Sequence, residues 1–329
     1  MKFLSRSRQA LRPSAYGLHR TGLEAGNRKE VQLSNLKTVL GPMRIPFLLL
    51  TPACVLLGVA TAFRSTRHLN VFYTILTFLG AISAHISVNA FNEYFDFKSG
   101  LDFKTKRTPF SGGSGTLPQN PSASIHALIT ASITLAVTAA IGIYFVVIRG
   151  LALLPLGILG IILVFFYTIW FTQNSFLCLI APGLGFGPLM VMGTDFVLTG
   201  RYSFTAFIAS LIPFFLVSDL LLLNEFPDVE ADKEVGRNHL PIAIGIKRSS
   251  LIYAAFLLLA YLVVLIGVYL GTLPLLSLLG LLTVPVAIAT SHGAFKHGEN
   301  IPRLMPFMGL NVLVVILTPV LVAIGLFFT

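Results

Sequence analysis

Carboxylates are scarce in this chain, 13 in all, and eight of them fall in two short stretches: Glu93, Asp96 and Asp102, then Glu225, Asp228, Glu230, Asp232 and Glu234. The two stretches share a pattern, since Asn92-Glu93-Tyr94-Phe95-Asp96 and Asn224-Glu225-Phe226-Pro227-Asp228 both read Asn-Glu-aromatic-x-Asp. At helical spacing Asn92 and Asp96 share one line, which His85 and Asn89 extend; Asn224, Asp228 and Asp232 repeat the arrangement. A solvated helix end would not need the uncharged Asn at a fixed place, nor the pattern twice. If the two stretches converge, a pair of carboxylates about 6 Å apart repels by roughly 3 kcal/mol at an effective dielectric of 20. Such a cluster calls for protonation or a bound cation. All-oxygen donors select hard ions, and Mg²⁺ binds through a few carboxylates together with substrate phosphates.

Phosphate is suggested independently by Lys104 to Gly115, where Lys104, Lys106 and Arg107 precede Ser111-Gly112-Gly113-Ser114-Gly115. Glycines let backbone N–H groups cluster round an anion, and Arg adds a two-pronged donor. Lys233 and Arg237 stand in the same relation to the second stretch. Asp219 lies inside an apolar run, about 140° round the helix from Asn224 at 100° per residue; it is either a base or a packed polar contact. His85 reads as a hydrogen-bonded core histidine or as an acceptor-binding group. Asp195 and Arg201 are expected in water beside a loop.

The elements that must position these groups are membrane helices. Of 329 residues, 55% are hydrophobic and 11% charged, where an average soluble domain is about 25% charged. That excludes an ordinary soluble enzyme, a disordered regulator and a nucleic-acid binder. Runs long enough to cross the hydrocarbon, about 20 residues each, occur nine times, at 45–63, 70–96, 122–148, 151–171, 175–198, 203–227, 250–270, 273–292 and 304–328. No strand alternation suggests a barrel. The expected fold is all-α and polytopic, with a basic tail over 1–40 and a membrane domain over 41–329. Pro227 lacks an N–H, so the sixth helix should kink or break beside the second stretch. Of the 23 Lys and Arg, only Arg64, Arg67, Arg149 and Arg201 fall on the side opposite the N-terminus, which places that terminus and both acidic stretches in the cytoplasm. The tail reads as a segment touching anionic lipid, with a transit peptide as the alternative. Cys54 and Cys178 lie in separate apolar runs and offer no disulfide framework.

Two Asp-rich motifs on the second and sixth of nine helices resemble the UbiA superfamily of intramembrane prenyltransferases, over residues 35–329. The first motif is carried by Asn92, Glu93, Asp96 and Asp102, the second by Asn224, Asp228, Asp232, Gly236 and Arg237, and Arg44-x-Pro46 before the first span also fits. The spacing to Asp102 is closest to the branch that prenylates 1,4-dihydroxy-2-naphthoate for menaquinone. Glu93 stands where the family usually has Asp, and Tyr167 to Asn174 differs from that branch's Gly-rich, acid-containing segment.

The resemblance implies a bundle round a central cavity in a cell membrane, with its mouth on the cytoplasmic side. It implies Mg²⁺ held by Asn92, Glu93, Asp96, Asp102, Asn224, Asp228 and Asp232, and a polyprenyl diphosphate bound by Lys104, Arg107, Lys233 and Arg237. Asn92, Asp96, Asp228, Asp232, Arg107 and Tyr167 would then carry the transfer to an aromatic acceptor. Other aromatic or lipid-alcohol acceptors stay open. A cation-coupled transporter would also use paired acids and a broken helix, but near the bilayer midplane.

Overall fold

The computed structural model describes residues 38–329, so the basic tail expected over 1–40 lies, but for its last three residues, outside the described residues. Among the described residues nine longer helices follow in order: α1 (Ile45–Thr66), α2 (Val71–Ser99), α3 (Pro121–Arg149), α4 (Leu151–Phe166), α5 (Ser175–Thr199), α6 (Phe204–Asn224), α7 (Ile246–Tyr269), α8 (Leu275–His297) and α9 (Ile301–Phe327). Among the described residues eight are long and apolar enough to cross a membrane, and α4 is the short one.

Local chemistry sets the ends. The side chains of Asn70, Asn174, Ser203 and Asn300 accept backbone N–H groups at the starts of α2, α5, α6 and α9, the capping that leaves fewer donors unpaired. Gly100, at φ 80°, stops α2. The helix carrying the second motif does break: α6 ends at Asn224, and a tight turn Phe226–Asp228 leads into a short helix Val229–Glu234. Asn224, Asp228 and Asp232 are therefore not one continuous helix face. A widened π-type stretch, Gly185–Met192, interrupts α5, with Pro182 shortly before it and Pro188 within it.

The main core joins α1, α5, α6, α7, α8 and α9 through residues such as Leu57, Leu216, Tyr253, Val264 and Val314. The cavity is consequently off-centre. Among the described residues its wall comes from α1 to α6 and the segments that follow α2, α4 and α6, and takes nothing from α7, α8 or α9. Asp195, expected in water, is fully buried in α5 near Thr61 and Ser203. Burial wins there because Asp195 sits inside α5, four residues before its end at Thr199, and not in the loop that follows.

α5 and α6 meet backbone to backbone. A Cβ at Gly183 would run into the Phe214 carbonyl oxygen, and one at Gly187 would lie 2.5 Å from that of Ser210. Neither neighbour is a side chain that can swing aside. Gly187→Leu should thus cost about 1–3 kcal/mol or more from overpacking, read as a fall of more than about 3 °C in the thermal midpoint of detergent-solubilised protein. An unchanged midpoint would show that these helices do not approach so closely.

Candidate active site

One cavity of about 500 Å³ collects the groups singled out from the sequence. Asn92 and Asp96 reach it from α2, Asp102 from the turn Leu101–Phe103, Asn224 from the end of α6, and Asp228, Asp232 and Arg237 from the segment beyond. Tyr167 and His85 also line it. Convergence of two motifs far apart in sequence is thus geometric fact. The charged groups occupy one end, and the remaining wall is mostly apolar, broken by threonines such as Thr77 and Thr138.

Arg237 joins the motifs. Its guanidinium bonds Asp96 of the first and, at 3.0 Å, Asp232 Oδ1 of the second. Burial works against its charge, yet Asp96 and Asp232 raise the guanidinium further above its ordinary range. Asp232 Oδ2 lies 3.0 Å from His239 Nε2, and Glu225 Oε2 lies 3.6 Å from His239 Nδ1. The Cys178 thiol donates to Glu225 Oε1 at 3.2 Å. This chain fixes the rotamers of Asp232 and Arg237 from behind.

A second arginine holds the other side. Arg44 Nε donates to Glu93 Oε1 at 2.7 Å, and Ser114 donates to the same carboxylate through its N–H at 2.6 Å and its hydroxyl at 2.8 Å. Glu93 is fully buried and lies outside the cavity wall, so the structure uses it to pin the Ser/Gly loop over the site. Gly113 makes the approach possible: its φ is +71°, and a Cβ there would sit 3.1 Å from Asp102 Oδ1 and 3.2 Å from Glu93 Oε1.

The basic residues expected at a diphosphate divide sharply. Arg237 faces the cavity. Arg107 turns back on its own loop and donates to the Ser114 carbonyl at 3.1 Å, Lys104 pairs with exposed Glu234 at 2.8 Å, and Lys233 is exposed. None of these three is in the wall. Arg44 is, although its only sequence signal was the Arg-x-Pro before the first span. His239 and Cys178 had no signal; their roles depend on a fold-back after Gly236 and on the α5–α6 contact. Asp219 is buried in α6 beside Tyr253, off the cavity wall.

Whether these residues fit a cation is tested by oxygens left over. Asp102 Oδ2, Asn224 Oδ1 and Asp228 Oδ1 are buried with no hydrogen-bond partner. Burial, then the charges of Glu93 and Asp96, push the Asp102 carboxyl up to about 7. No three His, Cys, Asp or Glu side chains among the described residues stand close enough to enclose a metal alone. The donor set therefore fits a hard ion that shares its coordination with substrate oxygens and water.

Comparison with known proteins gives the same direction. The UbiA prenyltransferase family matches residues 51–311. The chain is 30% identical over 181 residues to the 1,4-dihydroxy-2-naphthoate octaprenyltransferase of Bacillus subtilis (strain 168), covering 54% of this chain and 56% of that protein. It spans little more than half of that relative. It is 28% identical over 241 residues to UbiA prenyltransferase domain-containing protein 1 of Dictyostelium discoideum, covering 70% of each. A UbiA homolog from Archaeoglobus fulgidus bound to DMAPP and Mg²⁺ shares the fold, with a TM-score of 0.54 at 16% identity over 86% of this chain and 98% of that one. The chain is an integral, multi-pass membrane protein.

Glu93 carries a loop prediction. Glu93→Gln removes the charge that faces Arg44 and one acceptor for Ser114. Trypsin should then cut after Lys104, Lys106 or Arg107 several-fold faster than in wild type, because losing such a charged bond frees about 1–3 kcal/mol of local opening. Equal cleavage rates would show that Glu93 does not hold the loop.

Proposed function

The chain belongs to the UbiA prenyltransferase family, and on that premise we propose that it transfers a prenyl group from a polyprenyl diphosphate to an aromatic acceptor with Mg²⁺. The observation that carries this reading is the meeting of two acidic motifs at the polar end of one otherwise apolar cavity. A diphosphate and an isoprenoid chain have that same division of polarity. Support also comes from the fold neighbour bound to DMAPP and Mg²⁺. Transport has no comparable support, since the polar groups sit at one end of the cavity.

Asp102, Asn224 and Asp228 supply the open oxygens for Mg²⁺, with Asp96, Asp232 and Asn92 beside them. When bound, the ion neutralises charge on the departing diphosphate. Arg237 and Arg44 stand ready at the same end as fixed donors; charge develops on the leaving oxygens, so such donors act most strongly in the transition state. The apolar wall excludes water from the allylic cation left behind, which protects it for the acceptor. Asn92 Nδ2 donates to Thr168 Oγ1 at 3.2 Å, a bond that ties the first motif to the segment after α4, where Tyr167 lines the site.

For the acceptor, 1,4-dihydroxy-2-naphthoate ranks first, supported by the Bacillus relative and the spacing to Asp102. Another aromatic or lipid alcohol is the runner-up, because Tyr167 to Asn174 departs from the naphthoate branch. The site mouth and N-terminus are assigned to the cytoplasmic side of the cell membrane from the Lys and Arg asymmetry.

The test is diphosphate release by purified protein given a prenyl diphosphate, 1,4-dihydroxy-2-naphthoate and Mg²⁺. Asp96→Ala and Asp228→Ala should lower turnover at least about a hundredfold, the scale of losing a preorganised electrostatic group. Arg237→Lys should lose kcat as well as KM, whereas Arg107→Lys and Lys106→Arg should stay near wild type. Full activity of both Asp variants would remove the mechanism; activity only with a different phenol or alcohol would move the acceptor alone.

A further inference from the structure

The cations of the membrane domain divide into those bonded inside the fold and those left bare. Arg44 and Arg237 bond carboxylates of the motifs, Lys104 bonds Glu234, Arg107 the Ser114 carbonyl, and Arg149 the carbonyls of Val197 and Leu198. Lys247, Arg248, Lys296 and Arg303 are exposed. Among the described residues none of these four bonds a carboxylate, although Glu299 stands in the turn between α8 and α9.

The four gather at one corner. Lys247 and Arg248 open α7, Lys296 closes α8 and Arg303 lies in the first turn of α9, all at the end of the bundle that holds the two motifs. The turn joining α8 to α9 packs tightly on the start of α7: a Cβ at Gly298 would lie 2.6 Å from Ile246 Cγ2 and 3.2 Å from Phe226 Cε2. Lys296, Arg303 and His292 also stand near enough to His297 for their charges to act on it. A sidedness signal requires only that cations fall on one side of the membrane. It does not require them to meet, without bonded counter-charge, on three adjoining helices.

Below these charges the surface is apolar. Lys247, Leu251 and Leu258 fall within about 40° of one line on α7, and Ile288, His292 and Lys296 follow at i, i+4 and i+8 on α8; all six are exposed. α7 and α8 pack side by side. A cation at the membrane boundary over an exposed apolar stripe, on each of two neighbouring helices, has the division of polarity of a phospholipid and not of a free phosphate. The excess of positive charge selects an anionic headgroup, which basic pockets between membrane helices are suited to hold.

We propose that the corner formed by the start of α7 and the α8–α9 turn is a binding site for an anionic phospholipid, whose headgroup meets Lys247, Arg248, Lys296 and Arg303 while its acyl chains lie along Leu251 and Ile288. The site is separate from the cavity, whose wall among the described residues takes nothing from these three helices. It backs onto the second motif, because Phe226 lies against the same turn.

Native mass spectrometry of the full chain, titrated with phosphatidylglycerol or phosphatidylcholine of matched acyl chains, tests this. Wild type should hold phosphatidylglycerol at least about tenfold more tightly. Lys247→Gln/Lys296→Gln and Arg248→Gln/Arg303→Gln should each lower that preference at least about fivefold, with phosphatidylcholine binding unchanged. Lys98→Gln, which removes an exposed cation at the same end of α2, should keep it. Phosphatidylglycerol should also raise the thermal midpoint of wild type in nanodiscs and not that of the paired variants, since a ligand of the folded state stabilises it. Equal retention of the two lipids by wild type, the same loss in Lys98→Gln as in the paired variants, or displacement of the lipid by glycerol phosphate alone would overturn the proposal.

Discussion

Negative charge gathered at the end of an apolar cavity has to be offset, and the rest of the structure depends on how that is done. Asp96, Asp102, Glu225, Asp228 and Asp232 all reach one wall, and Glu93 stands just behind it. Repulsion of roughly 3 kcal/mol per pair at about 6 Å would drive the two motifs apart if nothing lay between them. Arg237 lies between them, bonded to Asp96 on one side and Asp232 on the other. Arg44 does the same for Glu93. Arginine suits the task because its planar fork holds two carboxylates at once and its charge survives burial.

Much of the local architecture follows from placing those two guanidiniums. α6 stops at Asn224, and Pro227 takes the chain through a tight turn, which lets the second motif curl round so that Arg237 returns to Asp232 and His239 backs it. On the other side Gly100 ends α2, the turn carrying Asp102 folds inward, and Gly113 gives Glu93 and Asp102 room against the loop. What stays unsatisfied after both arginines are placed, at Asp102, Asn224 and Asp228, is a set of oxygens from both motifs. A buried polar atom without a partner is costly, and here the cost is concentrated where a cation and a diphosphate would relieve it. The charges that shape the local fold are therefore the same ones that the proposed function would use.

The spans and the two motifs were legible in the sequence because helical spacing and hydropathy are local properties; convergence of the motifs was an expectation from the family resemblance alone. The off-centre cavity was not, since it depends on which helices bury their faces on one another, and the buried faces of α7, α8 and α9 go to the main core and not to the cavity. The basic residues show the same limit. Arg107 and Arg237 both follow an acidic motif at a short distance, and nothing in their neighbours separates them; the direction of the chain after Gly236 turns one inward, while the Ser114 carbonyl holds the other on its loop. Glu93 read as a metal ligand from its place in the motif, but its partner, Ser114, sits in a loop whose path no periodicity reveals. Cys178 and His239 gained their roles through tertiary contacts alone.

The central claim is that one cation site spans both motifs. Anomalous scattering from the protein determined with Mn²⁺ and a prenyl thiolodiphosphate tests it most directly. Density within coordination distance of Asp102 Oδ2, Asn224 Oδ1 and Asp228 Oδ1, with Arg237 still joining Asp96 to Asp232, is the result expected. Density on only one motif, or at a site remote from all three oxygens, would contradict the account.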